Sequence, residues 1–320
     1  MERAVVNRMT GITSVLHLLV DGLCVCCLYL MVSSFPTVRF LGVFLTYNVL
    51  AFLSQPLTGM LADRIERKHW LLFASILLLT MAVLTTSLVV SIGTATGMLI
   101  VSVLLGIGNS LFHVWGGKQV AIITGNDMRA LGVFVATGAF GLSVGLVFFS
   151  WPLLYVFLLL ICLLSGLYVQ TDMVVGVSSD RPDMINRRFS AFFVCLSVAV
   201  LMAAVMLRSF VGEAFSSGIM KSNTIVLLLG LFSMLGKMSG GWIARKFGII
   251  PALSSMIVAT IVCYLCKDYG MAVFLMGLFT VSCTMPITLY LINVVLPERE
   301  GLAFGLLAAA LIPGYLLAMI

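Results

Sequence analysis

Long apolar runs, broken at short intervals by a few polar residues, fill the 320-residue chain. A run of about 18 or more apolar residues reads as a helix that can cross a bilayer. Inside a bilayer the backbone has no water to bond, so spanning segments are helices or closed barrels. The runs lack the strict two-residue alternation of barrel strands. The pattern predicts eleven helical spans, at about 10–31, 40–61, 70–91, 97–115, 130–150, 152–169, 190–211, 224–243, 248–266, 271–296 and 302–320. Pro286 lies within the tenth and is expected to kink it, not end it. The fold class is therefore all-α and polytopic. Composition agrees: 62% of residues are hydrophobic and 9% charged, against about 25% charged in soluble proteins. Arg3 and Arg8 resemble the charged start of a signal peptide. The run after them is too long, holds Asp21 and lacks a small-residue cleavage site.

Charge orients the spans. With the N-terminus in the cytoplasm, fourteen Lys and Arg fall on the inner side. They are Arg3, Arg8, Arg64, Arg67, Lys68, Lys118, Arg129, Arg181, Arg187, Arg188, Lys237, Arg245, Lys246 and Arg299. The outer side holds four, Arg39, Arg208, Lys221 and Lys267. This is the positive-inside bias expected of a plasma (inner) membrane protein, and one missed span would scramble it. The net charge of +6 is thus a topology signal. It is dispersed over many loops, which excludes nucleic acid as a partner. The eight cysteines all fall within spans. Cys263 and Cys266 form a CxxC without a second ligand pair, so no metal site is expected.

The segment 170–188, QTDMVVGVSSDRPDMINRR, mixes both charge signs with Pro and paired Ser. It predicts a cytoplasmic linker, 170–189, between a six-helix bundle at 1–169 and a five-helix bundle at 190–320. Each half repeats a signature after its second span: GMLADRIERKH at 59–69 and GGWIARKFG at 240–248. Aligning Gly59 with Gly241 places Ala62 on Ala244 and Arg64 on Lys246. Asp63 falls on Arg245. Repeats of matching topology point to a transporter with its site at the midplane between them.

The stretch GMLADRIERK resembles the loop signature of the major facilitator superfamily. The segment 105–145, LPEREGLAFG at 296–305 and HLLVDGL in the first span are similar to the fosmidomycin resistance branch of that superfamily. The resemblance implies a two-bundle helical fold with twelve spans. The chain stops at Ile320 in or just after an eleventh, so helix 12 is expected to be missing and the C-terminus external.

Candidate chemistry sits in a few polar positions. His17 and Asp21 are four residues apart, one helical turn, and share a face. An ionisable group at mid-span is a functional candidate; the alternative is a structural polar pair satisfied by another helix. The resemblance implies that the first helix of each half lines the central cavity. Arg208 is a candidate anion contact or a snorkelling cation. His113, Asn48 and Asn109 are further candidates for the cavity or for helix–helix bonds. Asp63 is expected to latch onto the positive N-terminus of the helix that begins near Gly301. Its neighbours Gly59, Arg64, Arg67 and Lys68, with Gly241, Arg245 and Lys246 of the second copy, complete a cytoplasmic gating loop. Gly138, Gly141 and Gly145 make a face without side chains in helix 5, suited to close packing.

The sequence holds no G-x-x-x-x-G-K-[ST] loop and no triad or metal cluster at one membrane face. Neither an enzyme nor a cofactor is expected. The expected function is secondary active transport by alternating access: proton-coupled efflux of a small drug-like or anionic compound by a monomer in the bilayer. The alternative is a non-transporting or degenerate truncated membrane protein, a sensor or remnant, motivated by the early stop and the altered second signature.

Overall fold

The structure, a computed structural model, describes residues 2–35, 40–65, 69–175, 190–217 and 222–318. Arg67 and Lys68 of the expected gating loop lie outside the described residues, as does 176–189 of the expected linker. Every regular element among the described residues is helical.

The amino-terminal half holds α1 (Glu2–Ser34), α2 (Phe40–Asn48), α3 (Gln55–Arg64), α4 (Trp70–Ile92), α5 (Ala95–Ile123), α6 (Met128–Val147) and α7 (Trp151–Val175). The second half holds α8 (Ala191–Ser217), α9 (Asn223–Phe247), α10 (Ile249–Leu265), α11 (Met271–Ser282), α12 (Met285–Val295), α13 (Glu300–Ala309) and α14 (Leu311–Leu317). Nine stretches among the described residues are long and apolar enough to cross a membrane. The 17-residue α10 is slightly short of that length. The second expected span is divided between α2 and α3.

Prolines explain the divided spans. Pro56 has no N–H to close on Phe52, and its ring would strike that carbonyl. The helix widens into a π segment at Val49–Leu53 just before it. Pro286 likewise stands in the first turn of α12, behind the break at Cys283–Thr284 that separates α11 from α12. Residues 271–295 nonetheless run on as one span. α7 continues to Val175, into the segment read as linker, and there Asp172 Oδ2 lies 3.0 Å from His69 Nε2.

The helices are apolar outside as well as inside. On α4, Phe73, Leu77, Met81, Leu84, Leu88 and Ile92 form an exposed stripe at helical spacing, which suits lipid. The opposite face buries Leu72, Ser75, Leu79, Val83 and Thr86. Three cores follow. One is drawn wholly from the first half, including Leu16, Leu23, Leu79, Trp115 and Tyr168. A small one lies around Ala244, Met256 and Ile287. The third joins the halves: Val120, Leu131, Phe134 and Val135 pack with Val205, Met285, Leu289, Phe304 and Leu307.

Two helix pairs hold that seam. Gly59 of α3 lies against the backbone of Gly301 and Leu302 in α13. Gly241 of α9 lies against the backbone of Met128 and Arg129 in α6. Any side chain at either glycine would overlap the opposing backbone. The two signature segments therefore occupy matching positions, each pressed on a helix start of the opposite half.

Candidate functional site

At the first signature, α13 begins without a side-chain cap of its own. Its free N–H groups are taken by Asp63: Gly301 N donates to Oδ1 at 3.0 Å and Leu302 N to Oδ2 at 2.9 Å. A carboxylate at a helix N-terminus satisfies orphan donors and meets the positive dipole end. Lys118 supports it. Its Nζ donates to Ala62 O at 2.7 Å and lies 3.4 Å from Asp63 Oδ1. Lys118, expected beyond the end of the fourth span, belongs to the last turns of α5.

At the second signature the chemistry is rearranged. Arg245 stands where Asp63 does in the first copy. The helix it meets, α6, is capped by its own Asp127, whose side chain accepts from Arg129 N at 2.9 Å. Burial would raise the Asp127 carboxyl, but hydrogen bonds from Arg129 and the nearby charge of Arg245 hold it below its ordinary value. Arg129 also lies 5.0 Å over the Trp242 ring. The acid missing from the second signature is thus supplied by the helix it packs on. Asp127→Ala is expected to cost about 1 kcal/mol of stability through loss of this cap, read as a lower thermal midpoint in detergent. Arg64, Arg245 and Lys246 are exposed.

Deeper in the first half, four polar side chains meet. His17 and Asp21 of α1 face Asn109 and His113 of α5, and all four are buried. Asn109 Nδ2 donates to Asp21 Oδ1 at 3.0 Å, which also decides the orientation of the amide. His17 Nε2 is 3.3 Å from Asp21 Oδ2, and His113 Nε2 is 3.4 Å from Oδ1. The two Nε2 atoms are 2.8 Å apart. Each imidazole is anchored at its other nitrogen: His17 Nδ1 on Phe134 O at 2.7 Å and His113 Nδ1 on Asn109 O at 2.9 Å. A carbonyl only accepts, so both Nδ1 atoms carry protons. Two bare lone pairs cannot face one another at this distance. A hydrogen bond between the two Nε2 atoms at this distance would need one further proton on one of the rings, beside the Asp21 carboxylate.

The glycine face of α6 makes the room. A side chain at Gly138 would overlap Asp21 Oδ2 and His17 Nε2, while Gly141 and Gly145 lie against the backbone of Leu18 and Gly22. Gly138→Ala is expected to displace the cluster and reduce transport by about tenfold, since overpacking costs about 1–3 kcal/mol. Gly166→Ala is the control, because a Cβ there meets nothing within 4 Å. Equal transport by both variants would remove the glycine from this role.

Phe304, an apolar residue with no local signal of a role, closes the cluster from the other half. It fills the space over Gly117, with ring centroids 6.4 Å from His113 and 6.0 Å from Phe134. It lies one turn beyond the α13 amides held by Asp63. Other expected residues go elsewhere. Asn48 bonds back to Phe44 O at 2.8 Å within its own helix and does not join the cluster. Arg208 sits deeper than expected, because α8 continues to Ser217. Lys237, read as a cytoplasmic charge, lies inside α9, ten residues before its end at Phe247. His113, read as interfacial, is buried, because α5 continues to Ile123.

Residues 23–319 match the family model described as Major Facilitator Superfamily. The chain belongs to the Major Facilitator Superfamily. No curated protein sequence matches it. Among solved structures it is similar to the E. coli fucose:proton symporter FucP, at 12% identity and TM-score 0.65, covering 98% of this chain and 90% of that one. A bacterial homologue of the iron transporter ferroportin in its outward-facing state matches at 16% identity and TM-score 0.63, over 97% and 90%. The human organic anion transporter MFSD10 matches at 15% identity and TM-score 0.63, over 99% and 92%. At these identities the likeness is one of fold. The fold and family are those of membrane transporters.

Proposed function

We propose that this superfamily member is a proton-coupled secondary transporter of the fosmidomycin resistance branch, a monomer exporting a small drug-like or anionic compound across the inner membrane. The observation that carries the proposal is the histidine pair at 2.8 Å, which needs one shared proton beside Asp21. In this reading the N-terminus is cytoplasmic, and the cluster loads a proton from outside and releases it inside. The proton-loaded cluster is close to neutral, since the imidazolium offsets the carboxylate. After release it is a lone buried carboxylate, which is costly in a membrane unless water or a cation reaches it. That difference gives each protonation state its own preferred conformation, as coupling requires.

The Asp63 latch supplies the mechanical side. It holds α13 against α3, so the cytoplasmic ends of the bundles meet and the outer side opens. Moving α13 away breaks both amide bonds and withdraws Phe304 from His113. Cluster and gate therefore act through one helix.

The test is a susceptibility panel of antibacterial compounds in cells with and without the protein, at an external pH of about 6 and about 8. Export driven by proton entry predicts resistance to at least one compound, stronger at the lower pH. No shift for any compound, or equal shifts at both values, would overturn the proposal.

A further inference from the structure

The buried cluster of α1 and α5 has a second use when the further proton is absent. His17 Nε2, His113 Nε2 and the Asp21 carboxylate offer three ligand atoms that all lie within 4.8 Å of one another. His17 and Asp21 share one face of α1 at one-turn spacing, and His113 meets them from α5. All three residues are buried.

The two imidazoles are held as metal ligands are held. A ligating histidine almost always donates its other ring N–H to a carbonyl, a carboxylate or water, which fixes the tautomer and the ring. Here Nδ1 of His17 donates to Phe134 O at 2.7 Å, and Nδ1 of His113 to Asn109 O at 2.9 Å. Both Nε2 lone pairs are thereby turned toward one another beside the carboxylate, which Asn109 Nδ2 holds at Oδ1. Lone pairs this close repel. Besides a proton, a metal ion reconciles them.

The distances suit a first-row ion. Zinc binds imidazole nitrogen at about 2.0–2.1 Å and carboxylate oxygen at about 2.0–2.2 Å, so neighbouring ligands of a tetrahedral ion stand about 3.3–3.5 Å apart. His17 Nε2 is 3.3 Å from Asp21 Oδ2, and His113 Nε2 is 3.4 Å from Oδ1. The two Nε2 atoms, at 2.8 Å, span a narrower angle of about 90° at the same bond lengths. Two further observations point to a ligand. A Cβ at Gly138 would overlap both Asp21 Oδ2 and His17 Nε2, so glycine keeps space beside these two atoms. Asn109 Oδ1 is buried and accepts no hydrogen bond from a described residue.

We propose that His17, Asp21 and His113 bind a divalent first-row transition-metal ion of the Zn²⁺ type, with a water in the fourth position that donates to Asn109 Oδ1. Two imidazoles and one carboxylate suit such an ion, whereas Mg²⁺ and Ca²⁺ take oxygen ligands. The ion and the further proton exclude each other, because both use the Nε2 lone pairs. The site rests on the transport reading only for its entry route, opened when α13 withdraws Phe304 from His113.

The experiment is titration calorimetry with Zn²⁺ and Mg²⁺ chlorides on the full chain, free of affinity tags, in phosphatidylcholine nanodiscs at pH 7.5. Cys263 and Cys266 are first replaced by Ser, which removes the CxxC as a competing pair. One Zn²⁺ per chain is expected to bind, at least about a hundredfold more tightly than Mg²⁺. His17→Gln, Asp21→Asn and His113→Gln should each weaken Zn²⁺ about a hundredfold or more. Asn109→Ala keeps all three ligands and should cost about tenfold. X-ray absorption on the zinc-loaded protein, which needs no variant of the cluster, should show imidazole and oxygen ligands at about 2.0–2.2 Å and no sulfur at about 2.3 Å. The proposal is overturned if Zn²⁺ binds no more tightly than Mg²⁺, if sulfur ligands appear, or if the triple variant of His17, Asp21 and His113 binds like wild type. Zinc binding without any response to pH in the susceptibility panel would refute the proton coupling and leave the metal site standing; pH-dependent export without zinc binding would do the reverse.

Discussion

Asp21→Asn is expected to abolish pH-dependent export while the protein still inserts and accumulates normally. The substitution is nearly isosteric, and the amide can keep a contact with Asn109, which bonds Asp21 at 3.0 Å in the wild type. What it removes is the negative charge facing both imidazoles. Breaking a buried ion pair costs about 3–5 kcal/mol when the partner stays charged. The histidine pair then holds its shared proton less well, and the two Nε2 atoms, 2.8 Å apart, must separate. A loss of about 3 kcal/mol corresponds to about a hundred-fold in rate. The measurement is resistance in cells at two external pH values, with membrane abundance by immunoblot. His17→Gln should give the same phenotype more mildly, because His113 remains anchored on Asn109 O. Wild-type pH dependence in the Asp21→Asn protein would remove this residue as the coupling group.

The second large effect is expected at the latch. In Asp63→Asn the side chain still reaches α13, but with one acceptor oxygen and no charge. The wild-type carboxylate takes two backbone amides, at 3.0 and 2.9 Å, on a helix that has no other side-chain cap. Charge-assisted bonds of this kind are roughly twice as strong as neutral ones. A loss of about 1–2 kcal/mol moves a two-state equilibrium about five- to thirty-fold. The cytoplasmic ends should therefore part more often. Spin labels at Leu61 and Phe247, both exposed, report this as a longer-distance population absent from wild type. The exposed Cys162 and Cys195 are first replaced by Ser. Transport should fall with it. An unchanged distance distribution together with unchanged export would refute the latch.

The first signature was easier to read than the second. Gly59, Ala62 and Asp63 follow a spacing with a direct physical meaning: a glycine for close approach and a carboxylate to meet a helix start. Glu300–Gly301 was visible as the beginning of a helix because it follows a charged turn. In the second copy Arg245 looked like erosion. Its meaning depends on Asp127, more than a hundred residues away, and on the contact of Gly241 with Met128. No local pattern links them.

Lys237 and His113 show a different limit. Both stand near points where hydropathy falls, so a window places them at the membrane surface. The helices run on, to Phe247 and Ile123, because interior glycines and polar residues there pack on neighbouring helices instead of ending the turn. Gly236, Gly240 and Gly241 in α9, like Gly116 and Gly117 in α5, are spent on contacts with other helices. Such a segment is lower in hydropathy yet still inside the protein.

The sequence by itself determined the membrane class, the order of the spans, the duplicated signature and the one-turn spacing of His17 and Asp21. All follow from short-range quantities: the length of an apolar run, the period of a helix, the distribution of Lys and Arg. Only the tertiary structure decided that His113, 96 residues from His17 along the chain, meets it at 2.8 Å. The same holds for Phe304 covering that pair and for Arg208 and Lys237 lying well inside α8 and α9. In a protein that is apolar on both faces of nearly every helix, hydrophobicity does not say which faces meet. Glycine contacts and a handful of buried polar bonds make that choice.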